Sequence, residues 1–282
     1  MRQRGMTLIE LIVTITVGAI VVGFMAMFIV MPMNAYSAQT RRAALVDSAD
    51  SALRFMARDI NAALPNSVRT GASGSVTALE LLASVDGARY RDGGPLANPA
   101  LELDFSSADT AFSTTVPFTR LTLPWSSSGS YLSIGNIGVP GADAYAGANV
   151  ITPPGTSITI SAGATANANL VTISPGFRFA WGSPNKRIYL LSGPVSYLCD
   201  TATHTLTRYS GYPIAASQVL SAATLLASGA SAARVAADVN GCAFSYTAGT
   251  AQRNALATLT LQLANSGESI QLLQQVQLAN AP

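Results

Sequence analysis

The residue most in need of a chemical explanation is Glu10. It is a lone carboxylate at the head of an apolar run, because residues 11–33 contain no charged side chain. A carboxylate beside hydrocarbon is strongly disfavoured unless a cation or hydrogen-bond donors neutralise it, so Glu10 calls for a partner. Before it stand Met1-Arg2-Gln3-Arg4, and then Gly5-Met6-Thr7. At about 1.5 Å per residue the run is long enough to cross a bilayer as one helix.

Other residues with chemical potential are few. His204 is the only histidine and falls between Thr203 and Thr205 in a turn, with no G-x-S-x-G elbow in the chain. One histidine and two separated cysteines do not make a metal cage. No phosphate-cradling or dinucleotide fingerprint is present. Asp86, Asp92, Glu102, Asp104 and Asp109 are oxygen ligands in a loop-rich region but lack calcium-loop spacing, so solvated loop charges are the favoured reading. Glu102 and Asp104, two apart on an expected strand, would share a face without a pocket to raise a pKa. No metal and no cofactor is expected. Net charge is +2 with 11% charged residues, and the Arg residues, Arg89, Arg91 and Arg120 among them, are scattered; nucleic acid is not an expected partner.

The pattern Gly5, Met6-Thr7-Leu8-Ile9-Glu10 and an apolar helix resembles the amino-terminus of type IV prepilins and type II secretion pseudopilins. The resemblance implies cleavage between Gly5 and Met6 by a prepilin peptidase, N-methylation of Met6, and an assembly salt bridge from Glu10 to the terminal amine of a neighbouring subunit. It implies other major and minor pilins, the inner membrane and a fibre assembly platform as partners. The family most often has Phe where this chain has Met6. Three other readings compete: a secretory signal peptide cut near Ala35-Tyr36-Ser37, a plain membrane anchor, and a buried core helix. The run is too long for the first, and the second leaves Glu10 unexplained. Ordinary soluble helices are shorter and one-sided, which counts against the third.

The elements that must position these residues follow from periodicity. Arg2 and Arg4 place the amino-terminus in the cytoplasm and the bulk outside, in the periplasm, although Arg41 and Arg42 count against that in a simple tally. Pro32 predicts a kink or short break over residues 28–32. Val46, Ala49, Leu53, Met56, Ile60 and Ala63 form an apolar stripe on a second helical segment that ends at Leu64, before Pro65; Asp50 and Arg54 pair four apart. Strands are expected over 76–81, 101–105, 118–123, 187–191, 195–199, 205–209, 242–246, 257–263 and 269–278. A turn at Ser192-Gly193-Pro194 separates two of them. Loops are expected at 92–95 and 126–129, and residues 135–169 read as long loops with a strand near 157–161. Residues 218–238 read as one or two short helices.

The fold class is therefore α+β: a long amino-terminal helix packed on a mainly antiparallel β-sheet head. The organisation is a 1–5 leader, a 6–33 transmembrane and assembly helix, a 34–64 periplasmic continuation, and a 65–282 head. Cys199 and Cys242 both fall in the exported part, where an even cysteine count suggests one disulfide; two free buried thiols are the alternative. Residues 54–60, 63–69, 242–246 and 275–282 are similar to minor pseudopilins of the mannose-sensitive haemagglutinin (MSHA) pilus system. J-type secretion pseudopilins and W-type minor pilins share the layout. Such a subunit would initiate or cap a fibre, with a tip-located adhesin or a substrate- or DNA-binding module as the alternative function.

Overall fold

The amino-terminal rod begins where Thr7 caps it and continues as one helical stretch, Leu8–Asn61. In this computed structural model, residues 5–93, 101–165, 167–249 and 253–278 are described. The rod has three parts: α1, Leu8–Met25; a π-helical turn, Ala26–Val30; and α2, Met31–Asn61. Pro32 causes the irregularity. It lacks an N–H and its ring crowds the carbonyl four residues back, so the preceding turn widens, and Met31 N–H reaches Ala26 O. The expected break is thus a π turn just upstream of the proline.

Two sheets receive the upper rod. The larger contains β1 Arg69–Ser73, β2 Val76–Tyr90, β3 Asp109–Val116, β4 Trp125–Ser127, β5 Tyr131–Ser133, β6 Ser157–Ala162, β7 Asn169–Phe177, β8 Arg187–Asp200, β9 Thr205–Ser210 and β10 Ser231–Ala236. Its order is β10-β9-β8-β2-β3-β7-β6-β4, with β1 on β2 and β5 on β8. The smaller is β11 Val239–Thr247, β12 Ala255–Asn265 and β13 Glu268–Leu278, in that order. All named pairings are antiparallel. The α+β expectation holds.

One core joins rod and head. Leu45, Ala49, Ala52, Leu53, Met56, Ala57 and Ile60 of α2 pack with Leu79 and Leu81 of β2, Tyr197 of β8, and Leu259, Leu261 and Val276 of the small sheet. The stripe differs from expectation at its ends. Leu45 is buried while Val46 is exposed, since neighbouring helical positions point about 100° apart. The helix also stops at Asn61 rather than Leu64. Ala63 bridges Ala83, and Leu64 N–H donates to Leu82 O at 2.8 Å, so sheet contacts take the last residues.

Four other expectations are corrected. Residues 101–105 are not a strand: Asp104 accepts from the Ser106 amide (2.6 Å) and from the Ser106 (2.7 Å) and Ser107 (2.6 Å) hydroxyls, a local turn that outcompetes the alternating pattern. Residues 118–123 are not a strand either; Arg120 N–H bonds Asp86 instead (2.7 Å), and Phe118 is buried in the core beneath β6 and β7. The pair expected at 187–191 and 195–199 is a single strand. Gly193, at φ 118°, sits where the β2–β8 register slips, so the Ser-Gly-Pro segment makes an irregularity and not a hairpin. Finally, residues 218–238 hold one short helix, α3 Ala222–Ala227, followed by β10, because pairing with β9 overrides the helix preference of alanine. Of the expected loops, 126–129 begins within β4, and residues 94–95 lie outside the described residues.

Candidate functional site

The site at the start of the rod is built by a capping box. Thr7 has extended backbone angles, and its Oγ1 accepts from Glu10 N–H at 3.3 Å. Glu10 Oε2 reaches back to Thr7 N (3.4 Å) and Thr7 Oγ1 (3.5 Å). Each satisfies an orphan amide of the first turn, and the carboxylate lies at the positive end of the helix dipole. Glu10 therefore has a partner within its own chain. Both contacts that the carboxylate accepts are long and fall on Oε2, so it retains acceptor capacity.

Gly5 precedes this turn, and among the described residues nothing lies within 4 Å of where a Cβ would stand. Met6 is 63% exposed, and α1 has no buried residue. The polar groups inside the apolar run are satisfied locally: Thr14 Oγ1 donates to Leu11 O at 2.9 Å, and Thr16 Oγ1 lies 3.0 Å from both Ile12 O and Val13 O. The face offered to a neighbour or to lipid is thus hydrocarbon all round.

The head holds the remaining sites. Cys199 and Cys242 form a disulfide that ties β8 of the large sheet to β11 of the small one. Asp59, in the last turns of α2, accepts from Tyr197 OH at 2.7 Å and Arg208 Nε at 2.8 Å. A second ionic knot went unread in the sequence. Glu80, fully buried on β2, accepts from Arg69 (2.7 Å) and Tyr212 OH (2.9 Å), and the Arg69 guanidinium stacks 3.6 Å above the Tyr145 ring. Arg69 also donates to the Ala215 and Ala216 carbonyls, and Tyr145 OH to Ser67 O. The signal available was the pair of opposite charges on strands one hairpin apart, at Arg69 and Glu80. Burial and Glu80 together raise the Tyr145 and Tyr212 phenols well above their ordinary value.

The other residues with chemical potential stay apart. His204 Nδ1 lies 2.9 Å from Val239 O in the β8–β9 turn. Asp86 is buried and accepts from the Gly87 and Arg120 amides, whereas Asp104 and Asp109 close local turns. Asp104 is held far below the usual carboxylate range by the Ser106 and Ser107 hydroxyls. Glu102 and Asp104 share no strand. Among the described residues, no group of three or more His, Cys, Asp or Glu side chains is placed to hold a metal ion.

Residues 1–26 match the family model of the prokaryotic N-terminal methylation motif. Searches of curated proteins and of solved structures return no match. The chain thus carries, at the head of a long apolar helix, the N-methylation motif of prokaryotic prepilin-like proteins, which supports a type IV pilin-like or pseudopilin protein.

Proposed function

We propose that the chain is a minor pilin or pseudopilin, a structural subunit that initiates or caps a helical fibre. The observation that carries this is the conjunction at residues 5–10: a glycine with none of the described residues packed against it, an exposed Met6, and a carboxylate at the head of an unburied apolar helix. The peptidase cuts between Gly5 and Met6, and Met6 becomes the methylated terminus. The subunit waits in the inner membrane with its amino-terminus cytoplasmic and its head periplasmic. On assembly the Met6 amine of one subunit meets Glu10 of another. Such a pair sets register more than it adds stability, since a mismatched neighbour leaves the carboxylate unpaired. Packing of α1 against other helices supplies most of the adhesion. The chain acts as a structural part and not as an enzyme. Within the fibre systems, the similarities at residues 54–60, 63–69, 242–246 and 275–282 favour an MSHA-type pilus.

Mass spectrometry of the protein from cells that possess the peptidase tests this directly. The expected species begins at Met6 and carries one methyl group; a chain retaining residues 1–5 overturns the reading. Glu10→Leu should insert in the membrane and fail to enter fibres.

A second reading, a binding module at the fibre tip, is favoured by the head's far end. There Ile137, Val139 and Trp181 are each about half exposed around an apolar cleft of about 430 Å³. The cleft lies beside the turn that ends the rod: Asn136 Nδ2 donates to Pro65 O (2.7 Å), and Asn66 Nδ2 to Asn136 O (3.2 Å). Trp181→Ala should weaken attachment of assembled fibres to a surface without changing their number; unchanged attachment removes this reading.

A further inference from the structure

We propose that the cleft where the rod meets the large sheet binds a small soluble oxyanion, a phosphate or a dicarboxylate, between Arg58 and Arg120. The cleft holds about 510 Å³, within the range of small-molecule sites. Arg58 and Asn61 of α2, Gly87 of β2, Tyr189 of β8, and Thr119 and Arg120 of the segment after β3 line it. It is separate from the apolar cleft at Trp181, with which it shares no lining residue.

The negative groups around this cleft are already engaged. Asp86 is the acid in its wall, and the carboxylate accepts from the Gly87 amide (2.8 Å) and the Arg120 amide (2.7 Å). The second bond holds the Arg120 backbone against β2 and so keeps its side chain at the rim. The carbonyls that end α2 are occupied as well: Arg58 O accepts from Ala62 N–H, Ile60 O from Ala63 N–H, and Ala62 O from Ser84 N–H. The positive groups are not engaged in the same way. Among the described residues, the ion pairs are Asp50–Arg54, Glu80–Arg69, Asp92–Lys186 and Asp59–Arg208, and none includes Arg58 or Arg120. Both residues are exposed, and the Arg58 guanidinium lies beside Phe55, 5.9 Å from the ring centre.

A second feature of the sheet adds to the positive field. Arg89 of β2 stands directly opposite Arg187 of β8, and neither belongs to any of those ion pairs. Like charges in that relation repel, so the pair is a cost the strands bear. Gly87 and Tyr189, which line the cleft, are opposed two residues further on, and residues two apart share a face. The arginine pair therefore flanks the cleft. Two guanidinium forks at the rim suit the paired oxygens of a phosphate or carboxylate and ask for about two negative charges. A metal ion would meet the same two cations and be repelled. Lipid headgroups are out of reach, because α2 rises about 40 Å from Met33, at the end of the apolar run, to Asn61.

Titration of the full chain in detergent micelles with inorganic phosphate and with succinate, at ionic strength held constant with sodium chloride, tests the site. The Gly87, Thr119 and Arg120 amide resonances should shift and saturate with at least one probe; the probe that saturates them identifies the ligand class. Arg58→Gln and Arg120→Gln should each weaken binding about 10-fold or more, while Arg234→Gln on β10 binds as the parent does. Gly87→Leu keeps every charge and fills the cleft, and a Cβ there meets nothing closer than 3.5 Å, so it should weaken binding to a similar degree. The two arginine variants change exposed side chains only and keep the test decisive should Gly87→Leu disturb the sheet. No saturable shift with either probe overturns the proposal, as does an equal shift with sodium chloride alone. Parent-like binding by both arginine variants, or by a folded Gly87→Leu chain, also overturns it, since diffuse charge would then be the whole effect.

Discussion

The Asp59 carboxylate and the Arg208 guanidinium meet at 2.8 Å although 149 residues separate them, and Tyr197 OH shares the same carboxylate oxygen. Both charged side chains are about one-fifth exposed. The contact ties the end of α2 to β8 and β9. Removing one member strands the other in a site of reduced solvation. Asp59→Ala should destabilise the head by about 2–3 kcal/mol, read as a lower urea midpoint with unchanged m-value. Tyr197→Phe should cost about 1 kcal/mol, because it removes one hydrogen bond and leaves the ion pair.

The disulfide bears on the seam between the sheets. β11, β12 and β13 pair with no strand of the large sheet, and Cys199–Cys242 bridges them across 43 residues. Replacing both cysteines by serine should lower stability by about 2–4 kcal/mol. Limited proteolysis of the variant should cut first near the β10–β11 turn, at Ala237 and Asp238. Equal resistance of the two proteins would show that apolar packing alone holds the seam.

The rod, the three carboxy-terminal strands and the cysteine pair were legible in the sequence, because each rests on a local periodicity or on a count. Leu259, Leu261 and Leu263 alternate and are buried as the pattern requires. What failed was pairing at a distance. Ala-rich β10 looks helical until β9 lies beside it, and Arg187 to Asp200 looks like a hairpin until β2 runs its whole length. At residues 101–105 a strand-like alternation conceals an Asp-Ser-Ser turn, which only the Asp104 hydrogen bonds expose. Within the candidate site, Gly5 and Glu10 stood out by residue type and spacing, but the Thr7 cap that gives Glu10 a partner in its own chain was not anticipated. The Glu80 knot was invisible because it needs Tyr145 and Tyr212 brought in from distant loops.

The buried phenols set an alkaline limit. Burial raises the Tyr145, Tyr197 and Tyr212 phenols above the ordinary value of 10.0, with neighbouring Glu80 or Asp59 adding to the shift. A raised folded-state pKa means the native state holds these protons more tightly. Their contribution is whole below about pH 10 and declines as pH rises toward the folded-state values. In a spectrophotometric titration at alkaline pH, these three tyrosines should ionise together with unfolding. Smooth ionisation of Tyr145, Tyr197 and Tyr212 in a still-folded chain would contradict the burial argument.

The capping box supplies a way to separate two roles of Glu10. As a helix cap, its carboxylate only needs to accept from Thr7, and glutamine serves a capping box equally well. As the partner of a neighbour's terminal amine it must be charged. Glu10→Gln should therefore leave the α1 start intact, measured by amide protection in micelles, and still block incorporation into fibres, because a neutral amide weakens a charge-assisted bond by about 1–2 kcal/mol at each subunit contact. Thr7→Val should do the reverse: it loses about 1 kcal/mol of capping and frays the first turn, yet keeps the charge and so assembles. If Glu10→Gln assembles as the parent does and Thr7→Val does not, Glu10 acts as a cap and the intersubunit ion pair is wrong.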